Sequence, residues 1–269
     1  VHTTKYNPLT FLPKNLFFQF SRIANFYFLI VVCLLQFPWA PISAAAAVVP
    51  LVIVIGITMI REAIEDLLRY KCDQRINSSD ATILIDGTFQ TGRWDSILVG
   101  DIIKVKNNEQ IPADIVIISS SENDNIAYID TCNLDGETNL KVRQGIVQTS
   151  NINNEKEAND FQAVLECDKP NKSLYSFNGN IKFNENTYPL ENKQLLLRGC
   201  SLRNTQWVIG AVVYTGHESK IMMNSNQART KRSKIERGLN TKLLSVFCFI
   251  IFCTFLGASL GFVFEKNNI

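Results

Sequence analysis

The stretch Cys132-Asn-Leu-Asp-Gly-Glu-Thr-Asn-Leu-Lys141 lies in a long polar region flanked by three apolar ones, and its Asp135-Gly136-Glu137-Thr138 core has two readings. Asp-Gly is among the commonest turn dipeptides, with Glu and Thr as ordinary neighbours, so four residues alone read as a surface turn. The same glycine also permits a tight bend and a close approach of the backbone to another surface, which leaves Glu137 at a tip. A carboxylate so placed can orient a water and take its proton as that water attacks a phosphoryl or acyl centre. Which reading holds depends on the surrounding sequence.

Working outward, three apolar runs have membrane-spanning length: Phe17 to Phe37, Ala44 to Ile60 and Leu243 to Phe264. The first is expected as one span with Arg22 snorkelling near its end. The second continues as a mixed-charge helical pattern through Arg61 to Arg75, so this helix is expected to project beyond the bilayer, bent at Pro50. The Pro38 to Ser43 connection, carrying two prolines, makes the pair an antiparallel hairpin. In the third run, Gly257 and Gly261 form a small-xxx-small face suited to close helix packing.

Lys5, Lys14 and Arg22 precede the first run, and Lys231, Arg232, Lys234, Arg237 and Lys242 precede the third, whereas the hairpin loop has neither Lys nor Arg. This bias puts both flanks, and the lobe between them, in the cytosol. The basic cluster from Lys231 to Arg237 is read as a topology-obeying linker in preference to a lipid-binding patch. The expected organisation is a cytosolic segment over 1–14, a helical hairpin over 15–71, a cytosolic lobe over 72–240 and a third span over 241–269.

Inside the lobe the periodicity changes. "ATILID" ends at Asp86-Gly87, a hairpin signal, and "DIIKV", "DIVIIS", "NIAYID", "QLLLRG" and "QWVIGAVVYT" follow. The lobe is therefore β-rich (α+β), with Gln148 to Asp160 expected as an exposed loop. A net charge of +2, from 27 basic and 25 acidic residues, gives no support to nucleic-acid binding. Seven scattered cysteines form no metal-ligand pair and fit a reducing compartment. His2 and His217 stand far apart without ligating neighbours, so neither a zinc site nor histidine catalysis is expected. The opening at Val1, in text resembling the middle of a protein and lacking a signal peptide, suggests a piece of a longer polypeptide.

The flanks of the DGET stretch decide between its readings. "VGDIIKVKNNEQIPADIVIISS" (Val99 to Ser120), "LLLRGCSLRNTQWVIGAVVYTGHESKIMMN" (Leu195 to Asn224), "TTKYNPLTFLPKNLFFQFSRIANFYFLI" (Thr3 to Ile30) and "KRSKIE" (Lys231 to Glu236) resemble, in order, the P-type ATPases, specifically the P4 class of phospholipid flippases. The resemblance implies an actuator domain after two membrane helices, with DGET where ion pumps usually have TGES. It implies that Glu137 positions the water that hydrolyses a phosphoaspartate, that Gly136 gives the loop room to dock, and that Asp135 and Thr138 hold its shape. Gln36, at the end of the first run, resembles a glutamine near the lipid headgroup access site of flippases. Asn25 is a second polar candidate at membrane depth, with a helix-to-helix bond as its alternative role.

By the same resemblance, ATP and Mg2+ would serve the full-length protein from outside these residues, and a CDC50-type accessory subunit would accompany a phospholipid substrate. No DKTG motif, which carries the phosphorylated aspartate in that family, occurs here, nor does a Walker loop. This chain alone is not expected to form the phosphoenzyme. Two other readings stand beside the flippase: a cation-transporting P-type ATPase, and a membrane-anchored β-domain acting as a binding module.

Overall fold

The computed structural model describes residues 1–37, 43–225 and 234–268. They form two compact units: Val1–Thr3 with Tyr70–Gln227, and Thr4–Arg69 with Ala228–Ile269.

The first unit is the β-rich lobe. Its strands are β1 (Asp80–Ile85), β2 (Thr88–Arg93), β3 (Ile102–Lys106), β4 (Asp114–Ser120), β5 (Ile126–Asp130), β6 (Lys141–Gln144), β7 (Val164–Cys167), β8 (Gly179–Phe183), β9 (Asn186–Leu190), β10 (Leu195–Leu196), β11 (Ser201–Arg203) and β12 (Trp207–Tyr214). They pair in antiparallel sheets of order β10-β4-β12-β3-β1-β2, β11-β5-β6 and β7-β8-β9. The β1–β2 turn confirms the hairpin signal, because Asp86 (φ 49°) and Gly87 (φ 76°) both take the positive φ that a two-residue type I′ loop needs.

Every residue of β4 and all but the first of β12 are buried, as expected for paired central strands with apolar residues on both faces. Ile103, Ile115, Ile117, Ile129, Leu195, Leu202 and Val208 meet in one core. Burying a side chain of this size contributes about 1.5–3 kcal/mol. The core therefore fixes the ends of β5 and β6, from which the DGET stretch hangs.

Residues 148–160 depart from the expected exposed loop. Glu155–Asp160 is a short helix whose Asn154 and Glu157 form a reciprocal capping box, and Thr149 and Ala158 are buried. The polar composition concealed this because capping residues and loop residues are the same types. Sheet β7-β8-β9 was also not legible, its strands being short and half-exposed.

In the second unit, α1 (Pro8–Phe20), α2 (Ile23–Leu34), the greater part of α3 (Ala44–Asn77) and α7 (Lys234–Asn268) are helical; the numbering leaves α4 (Cys132–Asp135), α5 (Glu155–Asp160) and α6 (Lys220–Asn224) to the lobe. Two helical stretches, Ala45–Asn77 and Asn240–Phe264, are long and apolar enough to cross a membrane. The helix α3 runs on through Pro50 and past Ile60, as its mixed-charge extension implied.

The first apolar run is not one straight helix. It breaks at Ser21-Arg22, and α1 and α2 meet at 93°. Arg22 is extended (φ −81°, ψ 125°), Ser21 caps α1 by donating its Oγ–H to the Phe18 carbonyl at 2.7 Å, and the buried Asn25 amide bonds across the corner to the Gln19 carbonyl at 2.9 Å. Hydropathy averaged over a spanning length does not register such a corner, because the polar Gln19, Ser21 and Arg22 are outweighed by the apolar residues on either side. The space beside Gly257 and Gly261 is open, with no other described atom within 4 Å of where a Cβ would stand. The two-proline connection at 38–42 and the head of the basic cluster at Lys231 lie outside the described residues.

One lobe interaction is a sensitive probe of the fold. Lys220 is fully buried, and its ammonium donates to Asn171 Oδ1 (2.7 Å), Ser173 O (2.9 Å) and Ser176 O (2.8 Å), pinning the segment before β8. Burial lowers its pKa. Lys220→Met should therefore strand three acceptors and cost about 3–5 kcal/mol of lobe stability, read as a lower denaturant midpoint in proteolysis-detected unfolding of the solubilised protein. A midpoint unchanged from wild type would contradict this packing.

Candidate functional site

The DGET stretch is the β5–β6 connection. The two strands pair down to Ile129↔Lys141, so the chain must leave and return within a few ångströms. Between them it winds one helical turn, α4, rather than a simple β-turn. Asp130 starts this turn by accepting the Cys132 N–H at 2.9 Å, and Asn133 ties its flank to the Gly199 carbonyl at 3.3 Å.

Gly136 ends the turn in the left-handed region (φ 76°, ψ 3°), with its N–H bonded to Cys132 O at 3.0 Å. This is the C-terminal position at which glycine avoids the cost of a Cβ. A Cβ here would touch nothing within 4 Å, so the glycine is required by its φ, and its flank is open to an approaching surface.

Asp135 organises the loop. Its carboxylate accepts the Thr131 hydroxyl (3.0 and 3.1 Å), the Glu137 N–H (3.0 Å) and the Lys141 ammonium (2.5 Å). These bonds, the one from Lys141 foremost, hold its pKa below the usual aspartate value. Lys141 also reaches Glu137 Oε2 at 3.0 Å, and its own pKa is raised by the two carboxylates, by Asp135 most. Glu137 keeps 60% of its side-chain surface exposed. The arrangement is a fixed base bearing an exposed carboxylate at the tip, held on one oxygen by Lys141. Thr138 is exposed, and among the described residues its side chain makes no hydrogen bond that would shape the loop.

The comparisons with known proteins fit this geometry. The family model "P-type ATPase actuator domain" matches residues 75–222, more than half of the chain. This chain belongs to the P-type ATPase family. A second model, "Phospholipid-translocating ATPase N-terminal", matches residues 1–48. The chain is 42% identical to probable phospholipid-transporting ATPase 7 of Arabidopsis thaliana over 97% of its own length and 21% of that protein's. It is 43% identical to phospholipid-transporting ATPase ID of Homo sapiens, over 93% and 21% of the two lengths, and 43% identical to probable phospholipid-transporting ATPase 12 of Arabidopsis thaliana, over 100% and 23%. The chain thus spans little more than a fifth of these relatives. Within the P-type ATPase, the lobe is the actuator domain and the loop at its β5–β6 end is its DGET stretch.

The other sequence-selected residues lie in the second unit. Gln36 is exposed in the turn that follows α2. Asn25 is buried and its amide is engaged at the α1/α2 corner, so the structure gives it a structural partner within the chain, the alternative weighed for it above. The histidines, far apart in sequence, come together: the His2 N–H donates to His217 Nε2 at 3.1 Å. No cluster of three or more His, Cys, Asp or Glu suited to a metal stands among the described residues.

Lys141 is the residue that sequence reasoning missed. Its signal was available: it closes the quoted stretch, four residues after Glu137, but a lysine at the head of a strand reads as ordinary edge chemistry.

The sign of the Asp135 shift gives a test. A depressed carboxylate pKa means that the loop's order is present above the unfolded aspartate value of about 3.9 and is lost only as pH falls through the lower folded value. The Asp135 carboxyl carbon should titrate by NMR below about 3.9, and Lys141→Met should bring its midpoint back up. A midpoint unmoved by that substitution would remove Lys141 from its assigned place.

Proposed function

We propose that this chain is the actuator part of an ATP-driven phospholipid translocase, in which Glu137 positions the water that hydrolyses an aspartyl phosphate supplied by another domain. The observation that carries the proposal is the presentation of Glu137. It is exposed at the tip of a loop whose base is fixed by Asp135, beside a glycine whose flank is open. In-line attack on a phosphoryl group needs a carboxylate to orient and deprotonate water, and little else from this side of the reaction. In this reading Asp135 and Lys141 set the position of the Glu137 backbone and side chain, Gly136 leaves space for docking, and Thr138 faces the partner surface.

The remainder follows as parts of one proposal. Residues 72–240 act in the cytosol as the actuator, and the flanking helices cross the membrane as segments of a multi-pass protein. Hydrolysis moves the lobe as a rigid body and the movement is passed to the helices. ATP and Mg2+ act in the full-length protein at residues other than these, Gln36 contacts the phospholipid near the end of α2, and a CDC50-type subunit accompanies the enzyme. Similarity to the phospholipid-translocating model over residues 1–48 favours lipid over a cation as cargo, and membership of the ATPase family disfavours a stand-alone binding module.

Glu137→Gln keeps the size and removes the base. In the full-length protein it should leave phosphoenzyme formation intact, let phosphoenzyme accumulate, and slow lipid-stimulated turnover by about 10²-fold or more. Turnover equal to wild type would refute the assigned role.

A further inference from the structure

The connection between β7 and β8 is an arm with no helix or strand of its own, yet it is tied down along its length. Tyr214 donates its hydroxyl to the Asp168 carbonyl, Asn224 donates its amide to the Lys172 carbonyl, and the buried Lys220 ammonium holds Asn171, Ser173 and Ser176. Phe177 is buried with its ring edge-on to that of Tyr214, the centroids 6.3 Å apart. The anchors at Ser173 and Ser176 leave two residues between them. Leu174 packs against the core, and Tyr175 turns outward with 65% of its surface exposed.

This arm ends at the DGET stretch. The face of the Tyr175 ring lies 5.9 Å from the Lys141 ammonium, the same group that bonds Asp135 and Glu137. Leu134 of α4 packs against the same core as Leu174, so loop and arm share one footing. A lysine carries three donors on a flexible stem, and here two of them go to carboxylates. An ion pair as exposed as that between Lys141 and Glu137 holds a side chain only weakly, because water competes for both partners. An aromatic face within about 6 Å attracts the ammonium through its quadrupole and takes the place of some of that water.

We propose that Tyr175 is a positioning residue for phosphoenzyme hydrolysis: its ring flanks the Lys141 ammonium and keeps it on Asp135 and Glu137, so that the Glu137 carboxylate is held at the tip. The role rests on Glu137 acting as proposed above. Tyr175 itself touches no reacting atom. What it needs is a ring at a fixed place, and the Lys220 anchors supply the fixed place. The ring face does this work, so the hydroxyl is dispensable.

Two readouts on the full-length protein in nanodiscs test this. With lysine labelled at Cε, the Lys141 ε-methylene signal, assigned by its loss in Lys141→Met, should stand upfield because it lies over a ring. Tyr175→Leu should move it downfield, and Tyr175→Phe should leave it in place. In single-turnover dephosphorylation, Tyr175→Leu should be slower by about two- to fivefold, the size expected of one cation–aromatic contact at a partly exposed site, and Tyr175→Phe should match wild type. Combined with Lys141→Met, Tyr175→Leu should add no further loss. A Lys141 signal unmoved by Tyr175→Leu, or Tyr175→Phe as slow as Tyr175→Leu, overturns the proposal. Wild-type dephosphorylation by Tyr175→Leu beside a slow Glu137→Gln overturns the positioning role and leaves the reading of Glu137 standing. A Glu137→Gln rate equal to wild type would instead bring down the reading of Glu137, and the positioning role with it.

Discussion

The Asp135 carboxylate is the interaction on which the working end of the lobe depends. It gathers a hydroxyl, a backbone N–H and an ammonium from three places on the β5–β6 connection. Without it, the chain between two paired strands would be a short polar loop with many conformations, and its tip carboxylate would wander. With it, the first half of the connection is a helical turn, the glycine must take a positive φ, and Glu137 follows at a fixed place. Charge-assisted bonds of this kind are stronger than neutral ones, and Lys141 contributes its bond from a partly buried position where screening is reduced.

That local order is useful only because a rigid scaffold carries it. Asp130 and Lys141 belong to strands of the β11-β5-β6 sheet, and the neighbouring β4–β12 pair fills the core on both faces. A loop mounted on such a base moves with the lobe as a body. Catalysis by positioning needs this, since small displacements of a water-orienting group are costly in rate.

Much of this arrangement was legible in the sequence, and the misses have physical causes. The β1–β2 hairpin, the central strands and the long third helix each carry a signal local to a few residues: Asp86-Gly87, an unbroken apolar run, a spanning length. The corner at Ser21-Arg22 is marked only by two polar residues that also suit a helix end at the membrane surface, and the bond from Asn25 to Gln19 that closes it exists only in the folded chain. The helix α5 was hidden for a related reason, its Asn and Glu being equally at home in a loop. In the DGET stretch the four residues themselves were ambiguous, and only the ordered flanking segments decided between turn and site. Lys141, which completes the geometry, lay within the quoted stretch, but its role is set by folding back across the loop, a contact that linear spacing does not reveal.

The central claim is that Asp135 acts only through Glu137. Single-turnover dephosphorylation of the full-length protein, compared among wild type, Asp135→Ala, Glu137→Gln and the double variant, tests it directly. If Asp135 positions and Glu137 acts, each single variant is slow and the double variant is no slower than Glu137→Gln. Losses that multiply would show that the two carboxylates work independently, and the account of the loop would be wrong.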